Sequence, residues 1–442
     1  MRSRKKKVNP IGLQDITIVD DAKMRKAITA AALGNAMEWF DFGVYGFVAY
    51  VLGKVFFPDV SPSVQMIAAL ATFSVPFLIR PLGGLFFGAL GDKYGRQKVL
   101  AATIVIMSLS TFAIGLIPSY ATIGIWAPIL LLLAKMAQGF SVGGEYGATA
   151  TYMSEVATSH NRGFLSSFQY VTLIGGQLLA SAVVTVLLLV LSKEQMSDWG
   201  WRIPFFIGAL LAVVSIIMRR NLIETISKKH TENKEAGSMK ALWKNPRAML
   251  IVLGITAGSS TIFYTFTTYM QKFLVNTSGF EKDTATFIMT FVLLIFMVAQ
   301  PVYGMISDKI GRKLCMVLFG GFGVLTTVPL MSSIAQTNNV TIAIVLILLG
   351  LAWISFYTSI SGIVKADLFP AHVRALGVGL PYAIANAIFG GSSEFLALKL
   401  KSVGHEEYFF YYVSVVMAIA LIAALAMPDN RKHSLIDKDT HL

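Results

Sequence analysis

GALGDKYGRQK (residues 88–98) and GMISDKIGRK (304–313) each follow one long apolar run and lead into another. Asp92, Gly95 and Arg96 return as Asp308, Gly311 and Arg312 at one constant offset. Such a repeat means that one half-molecule is written twice, in parallel. Duplicated bundles of about six membrane helices are the architecture of solute carriers.

The composition agrees. With 442 residues, 55% hydrophobic and only 14% charged, the chain carries too little polar side chain to cover a soluble globule. Apolar runs of about 20 residues, each enough to cross roughly 30 Å of hydrocarbon, can be placed twelve times. They lie at 27–52, 64–91, 98–117, 123–150, 164–191, 201–218, 248–270, 284–306, 314–334, 341–364, 375–397 and 408–427. The expected fold is therefore an all-α membrane protein of twelve transmembrane helices in two six-helix bundles (27–218 and 248–427). Tails at 1–26 and 428–442 and a connector at 219–247 complete the chain.

When the connecting segments are numbered alternately, most of the 37 Lys and Arg fall on one side. Both termini are thereby predicted to be cytoplasmic, in a bacterial inner membrane. The same distribution accounts for the net charge of +13, which suits anionic lipid and needs no nucleic-acid partner. The Arg2–Lys7 run is expected to be lipid-facing or solvated. Cys315 is the only cysteine and reads as packing. The first apolar stretch is too long for a signal-peptide core, so the N-terminus is expected to be retained. In the connector, Arg219, Arg220, Glu224, Lys228, Lys229, Glu232, Lys234 and Glu235 read as a solvated hinge with a short surface helix.

Intramembrane ionisable groups mark sites by default, at about 2.5–3.5 kcal/mol each on insertion scales. Glu38 and Asp41 share a face of the first helix, with Arg80 and Lys135 at similar depth in the second and fourth. These four are expected to face a polar cavity. Glu38 and Asp41 are the proton-coupling candidates, because a carboxylate can trade a proton for a cation or a substrate contact. Lys135, Gln138 and Glu145 share a helical face; Glu145 reads as a proton group or as the partner of a loop arginine. Arg80, Lys135 and Gln138, with Tyr264 and Tyr357 from the aromatic second half, are the substrate-binding candidates. Ion pairing that merely holds helices together is the alternative for each charge.

In the repeated loops, Asp can cap the next helix or pair with a basic neighbour, Gly permits the turn, and Arg reaches a carboxylate. This G-x-x-x-D-x-x-G-R-x pattern resembles the signature loop of the major facilitator superfamily. SEVATSHNRG (154–163) and LFPAHVRALG (368–377) place Arg162 and Arg374 before the fifth and eleventh helices, similar to that superfamily's other gating loops. GNAMEWFDFGVYGF (34–47), FLIRPLGGLFFGALGDKYGRQK (77–98) and QGFSVGGEYG (138–147) are similar to its metabolite:proton symporter family.

Up to about Tyr146 the chain resembles the osmoprotectant branch of that family, and from Gly147 onward the oxoacid branch. Two departures stand out: Tyr94 replaces the oxoacid branch's usual histidine, and the osmoprotectant branch's coiled coil has no counterpart in the short tail after Met427. The resemblance implies proton-coupled uptake of a small carboxylate, α-ketoglutarate or a related dicarboxylate. The alternative is a zwitterion such as proline or glycine betaine, which needs one cation plus an aromatic cage. A monomer is expected to suffice, with lipid around it and no cofactor or metal. A channel would need rings of one residue type, and an enzyme a nucleophile–base pair or metal ligands. Neither pattern occurs, and the six histidines lie outside the helix cores.

Overall fold

In hydrocarbon every backbone N–H and C=O must be satisfied within the segment, so apolar runs become helices. The computed structural model describes residues 21–58, 60–220, 222–225, 233–429 and 434–440, and no strand occurs among them. Twelve long helices follow in order: α1 (Asp21–Phe56), α2 (Pro62–Tyr94), α3 (Arg96–Leu116), α4 (Trp126–Val156), α5 (Arg162–Val190), α6 (Arg202–Arg219), α7 (Pro246–Phe266), α8 (Lys282–Ile310), α9 (Arg312–Gln336), α10 (Val340–Thr358), α11 (Ala371–Ser402) and α12 (Glu406–Ala426). By length and composition eleven of these helices can cross a membrane. The other, α1, is diluted by Asn35, Glu38 and Asp41 at its middle, all buried.

Each predicted span overlaps one of these long helices, but hydropathy misses the breaks. The seventh span is interrupted at Thr267, with Thr268–Asn276 continuing it, and the tenth ends at Thr358 before a short helix, Ser361–Ala366. Apolar content cannot register a turn whose backbone groups are satisfied inside the protein. The Arg2–Lys7 run and Lys228, Lys229 and Glu232 lie outside the described residues. In the described part of the connector the only helix is Met239–Trp243.

Packing repeats with the duplication. In the first half α1 lies on α5, α2 on α4 and α3 on α6; in the second, α7 lies on α11, α8 on α10 and α9 on α12. Membrane helices associate by close backbone approach, not by apolar burial. Accordingly, a Cβ at Gly143 would strike the Arg80 carbonyl, and one at Gly83 the Phe140 carbonyl, which brings α2 and α4 together. The halves meet reciprocally, α2 against α11 and α8 against α5.

Candidate functional site

Mid-helix polar residues in this fold must find partners inside the bundle. Lys135 Nζ sits 3.8 Å from Asp41 Oδ2, donates to Gln138 Oε1 at 2.7 Å, and lies 4.4 Å above the Tyr45 ring. Gln138 Nε2 in turn donates to Thr111 Oγ1 at 3.0 Å. These groups are almost wholly buried and occupied with one another.

The shared face predicted for α4 does not act as one unit. Glu145 forms an ion pair with Arg219 and accepts from the hydroxyls of Thr103 (2.5 Å) and Thr149 (3.0 Å). Arg219 also donates to the carbonyls of Ala30, Ala31 and Leu100. Arg219 is therefore not part of a solvated connector. It is fully buried at the last turn of α6, where a run of apolar residues ends in two arginines and only the first faces the bundle. Glu224, predicted to be solvated, accepts from the Arg96 and Gln97 amides at 2.9 and 3.2 Å and so caps α3.

Arg80 and Glu38 differ from the groups around them. The Arg80 guanidinium stacks on the Phe77 ring at 4.2 Å, is 5% exposed, and its Nε has no hydrogen-bond partner. Glu38 is also buried, accepts no side-chain hydrogen bond among the described residues and lies within the field of Arg80. The Arg80 charge reaches the hydroxyls of Tyr264 and Tyr382 as well.

Tyr264, Tyr357 and Tyr382 line a small cavity between the halves, together with Trp39, Tyr170 and Asn386. Its volume of about 10 Å³ is room for one water and excludes any larger solute. Asn386 opens the π-helical turn Asn386–Gly390 in α11, a distortion frequent at functional sites. Its Oδ1 accepts from Ser260 at 3.0 Å, whereas its Nδ2 is buried without a partner. Of the substrate-binding candidates, Tyr264 and Tyr357 line this cavity, whereas Arg80, Lys135 and Gln138 do not.

Lys365 stands one residue past the tenth predicted span, 341–364. It is fully buried in the Ser361–Ala366 helix, with Nζ donating to the hydroxyls of Tyr146 and Tyr357 at 2.6 Å each. The rings of Tyr146, Tyr357 and Tyr382 surround it at 4.9, 4.9 and 4.7 Å. Its one sequence signal was weak: a lysine continuing an apolar run, GIVK, with no acidic residue until Asp367.

The repeated loops do not cap the helices that follow them. Asp92 accepts from the amides of Ala375 and Leu376 at 2.9 Å each, at the start of α11 in the other half, and pairs with Arg96 at 2.7 Å. Asp308 accepts from Gly163 (2.8 Å) and Phe164 (3.0 Å) at the start of α5, again across the interface. Each carboxylate thus sits at the positive end of a helix belonging to the opposite half. Gly95 and Gly311 make the turns with φ of 106° and 93°, a region where a side chain would be strained.

Arginines complete these locks. Arg96 and Arg374 converge on Glu155 at 3.1 and 2.8 Å, and Arg312 pairs with Asp367. Arg162 is held by Asp437 at 2.8 Å, in the short helix Leu435–Thr440 near the end of the chain. Burial raises the Asp437 carboxyl, but the Arg162 guanidinium and the Ser434 hydroxyl outweigh it and hold Asp437 below its ordinary value.

Comparison with known proteins follows the same lines. The family described as "Sugar (and other) transporter" matches residues 27–225 and again 219–441. The chain is 50% identical to the α-ketoglutarate permease of Escherichia coli (strain K12), over 93% of this chain and 95% of that protein. It is 45% identical to the proline/betaine transporter of Salmonella typhimurium, over 98% of this chain and 89% of that protein. The proton:xylose symporter XylE, solved with 6-bromo-6-deoxy-D-glucose, shares the fold at a TM-score of 0.77 and 18% identity, covering 95% of this chain and 99% of that one. Family matches over both halves, with long matches among bacterial permeases, place the chain in the sugar (and other) transporter family, as a multi-pass bacterial inner-membrane transporter and not an enzyme.

Proposed function

We propose that this transporter imports a small dicarboxylate, α-ketoglutarate or a close relative, together with protons, by alternating access of its two halves. The lock side faces the cytoplasm, and one chain suffices because it holds a complete site. The observation that carries this reading is Arg80, a buried guanidinium whose Nε has no partner and within whose field lies the buried carboxyl of Glu38. A guanidinium matches a carboxylate in geometry and charge. Ionised Glu38 competes with a cargo carboxylate for Arg80, whereas protonated Glu38 leaves Arg80 to the cargo. Proton and substrate are thereby linked at one cation.

In this scheme Asp41 with Lys135, and Glu145 with Arg219, hold α1, α4 and α6 together and do not touch cargo. The 50% identity to an α-ketoglutarate permease supports the choice of substrate. A zwitterion such as proline or glycine betaine is the second reading. It is favoured by the aromatic cavity wall of Trp39, Tyr170 and Tyr264 and by the 45% identity to a proline/betaine transporter over nearly the whole chain.

Uptake of labelled α-ketoglutarate and of labelled proline into proteoliposomes, with and without an inward proton gradient, separates the readings. α-Ketoglutarate accumulation that collapses with the gradient is expected. Accumulation driven by a sodium gradient alone removes proton coupling, and accumulation of proline but not α-ketoglutarate reverses the substrate.

A further inference from the structure

A fully buried ammonium normally has an acid beside it, because isolated charge in a low-dielectric interior is among the costliest things a fold can hold. Lys365 has none: no described carboxylate lies within 4 Å of it, and Asp367, two residues on, pairs with Arg312. It is held instead by two hydroxyls and three ring faces, which is how proteins retain a cation they do not neutralise.

The position matters as much as the chemistry. Tyr357 and Tyr382 form two walls of the Lys365 cage and also line the cavity, so cage and cavity share two side chains. Tyr382 stands between two cations, within the field of Arg80 and 4.7 Å from Lys365 Nζ. Neither cation is ion-paired within 4 Å among the described residues. Arg80 belongs to the first half and Lys365 to the second, whereas Lys135, the other cation suggested for cargo, is held by Asp41.

We propose that Lys365 is the second carboxylate-binding group of the transport site: Arg80 takes one carboxylate of a dianion and Lys365 the other, across the two halves. This rests on the dicarboxylate reading above. In the closed state Nζ donates across the interface to Tyr146, whose ring stacks on Tyr382 at 3.5 Å. A cargo carboxylate therefore competes with the Tyr146 hydroxyl for the ammonium, and taking it unfastens one contact between the halves. Binding and unlatching share one group.

The test is calorimetric binding to the purified full chain with two probes. These are α-ketoglutarate and 2-oxovalerate, which keeps the five-carbon oxoacid but has a methyl in place of the distal carboxylate. The wild-type protein should prefer the dianion by roughly tenfold or more, the worth of one charge-assisted hydrogen bond. In Lys365→Gln that preference should vanish while 2-oxovalerate affinity holds. In Tyr146→Phe, which removes the competing hydroxyl, α-ketoglutarate should bind several-fold tighter and 2-oxovalerate unchanged. This second variant carries the test if Lys365→Gln fails to insert.

Dianion preference retained in Lys365→Gln, or equal losses for both probes, overturns the role of Lys365 and leaves the dicarboxylate reading standing. Equal shifts of both probes in Tyr146→Phe do the same. Wild-type protein that binds glycine betaine and neither acid overturns the reading and the proposal together.

Discussion

Replacing Asp92 by Asn tests the locks most directly, because the change is nearly isosteric and its partners are all identified. The wild-type carboxylate is fully buried, accepts two α11 amides and pairs with Arg96. Asn keeps one acceptor and turns an NH2 toward the other amide. It therefore loses one hydrogen bond to a charged group, about 1.5–3 kcal/mol, and the ion pair. Breaking a buried pair costs about 3–5 kcal/mol when the remaining charge is abandoned. Arg96 keeps Glu155, so the lower end applies, about 3 kcal/mol against the locked state. That is roughly a hundredfold change in the ratio of locked to open forms.

Spin labels at Tyr94 and Leu314, both exposed, in a Cys315→Ser background would report the separation of the halves on the lock side. The wild type should give one short-distance population and Asp92→Asn a second, longer one. Turnover should fall at least about tenfold, with substrate affinity changed only through the competent fraction, within a few-fold. Asp308→Asn should act in the same direction but more weakly, because Asp308 is half-exposed and its neighbour Arg312 pairs with Asp367 instead. A large affinity loss at normal turnover would sink this account, since the loops would then be shaping the site.

Arg80→Ala should abolish uptake of an anion and Arg80→Lys should restore little of it, since an ammonium cannot reproduce the guanidinium fork; unchanged binding in a correctly inserted Arg80→Ala protein would return Arg80 to a packing role. Glu38→Gln should keep substrate exchange down a concentration gradient but lose accumulation against one, so proton-driven accumulation by the variant would exclude Glu38 as the coupling group. Lys135→Met alone should lower the melting temperature sharply, about 3–5 kcal/mol of broken buried pair, and adding Asp41→Asn should recover much of it; additive losses in a double-mutant cycle would deny the pairing. Asp437 is held below its ordinary value of 3.8, so its contact with Arg162 favours the folded chain at neutral pH and is lost only as pH falls through that lowered value. The melting-temperature gap between wild type and Asp437→Asn should thus be flat from pH 8 to 5 and close below about pH 4; a gap that closes near pH 6.5 would implicate another group.

The fold was legible because its evidence is one-dimensional: apolar length and a repeat at constant offset. The central charges were legible for the same reason, since a carboxyl or guanidinium amid twenty apolar residues announces itself. Partner choice was not. Glu145 sits seven residues from Gln138 on one helix, yet its cation comes from the end of α6, and no spacing rule connects residues 145 and 219. Arg219 and Lys365 both stand at the ends of apolar runs, where a charge usually meets water, so neither stands out in the sequence as a buried group. In this bundle those ends are covered, Arg219 by α1 and α3 and Lys365 by α4 and α11, so proximity to a loop did not imply exposure.

Under the alternating-access reading, the reciprocal placing of Asp92 and Asp308 would leave the protein only two favoured states. A carboxylate that capped its own following helix would be satisfied in every conformation and would contribute nothing to switching. Here each caps a helix of the opposite half, so the four amides of Ala375, Leu376, Gly163 and Phe164 are paired only while the halves are closed on this side. A partial opening stretches these bonds before water can replace them, which leaves buried donors and charges unsatisfied and makes intermediate separations unfavourable. Full opening hydrates both sides and removes that penalty. Because the two locks are joined through the same rigid interface, releasing one strains the other, so they should open together. Lys365 is bonded across the same interface, to the Tyr146 hydroxyl, so under the proposal above cargo that takes its ammonium removes one further contact between the halves.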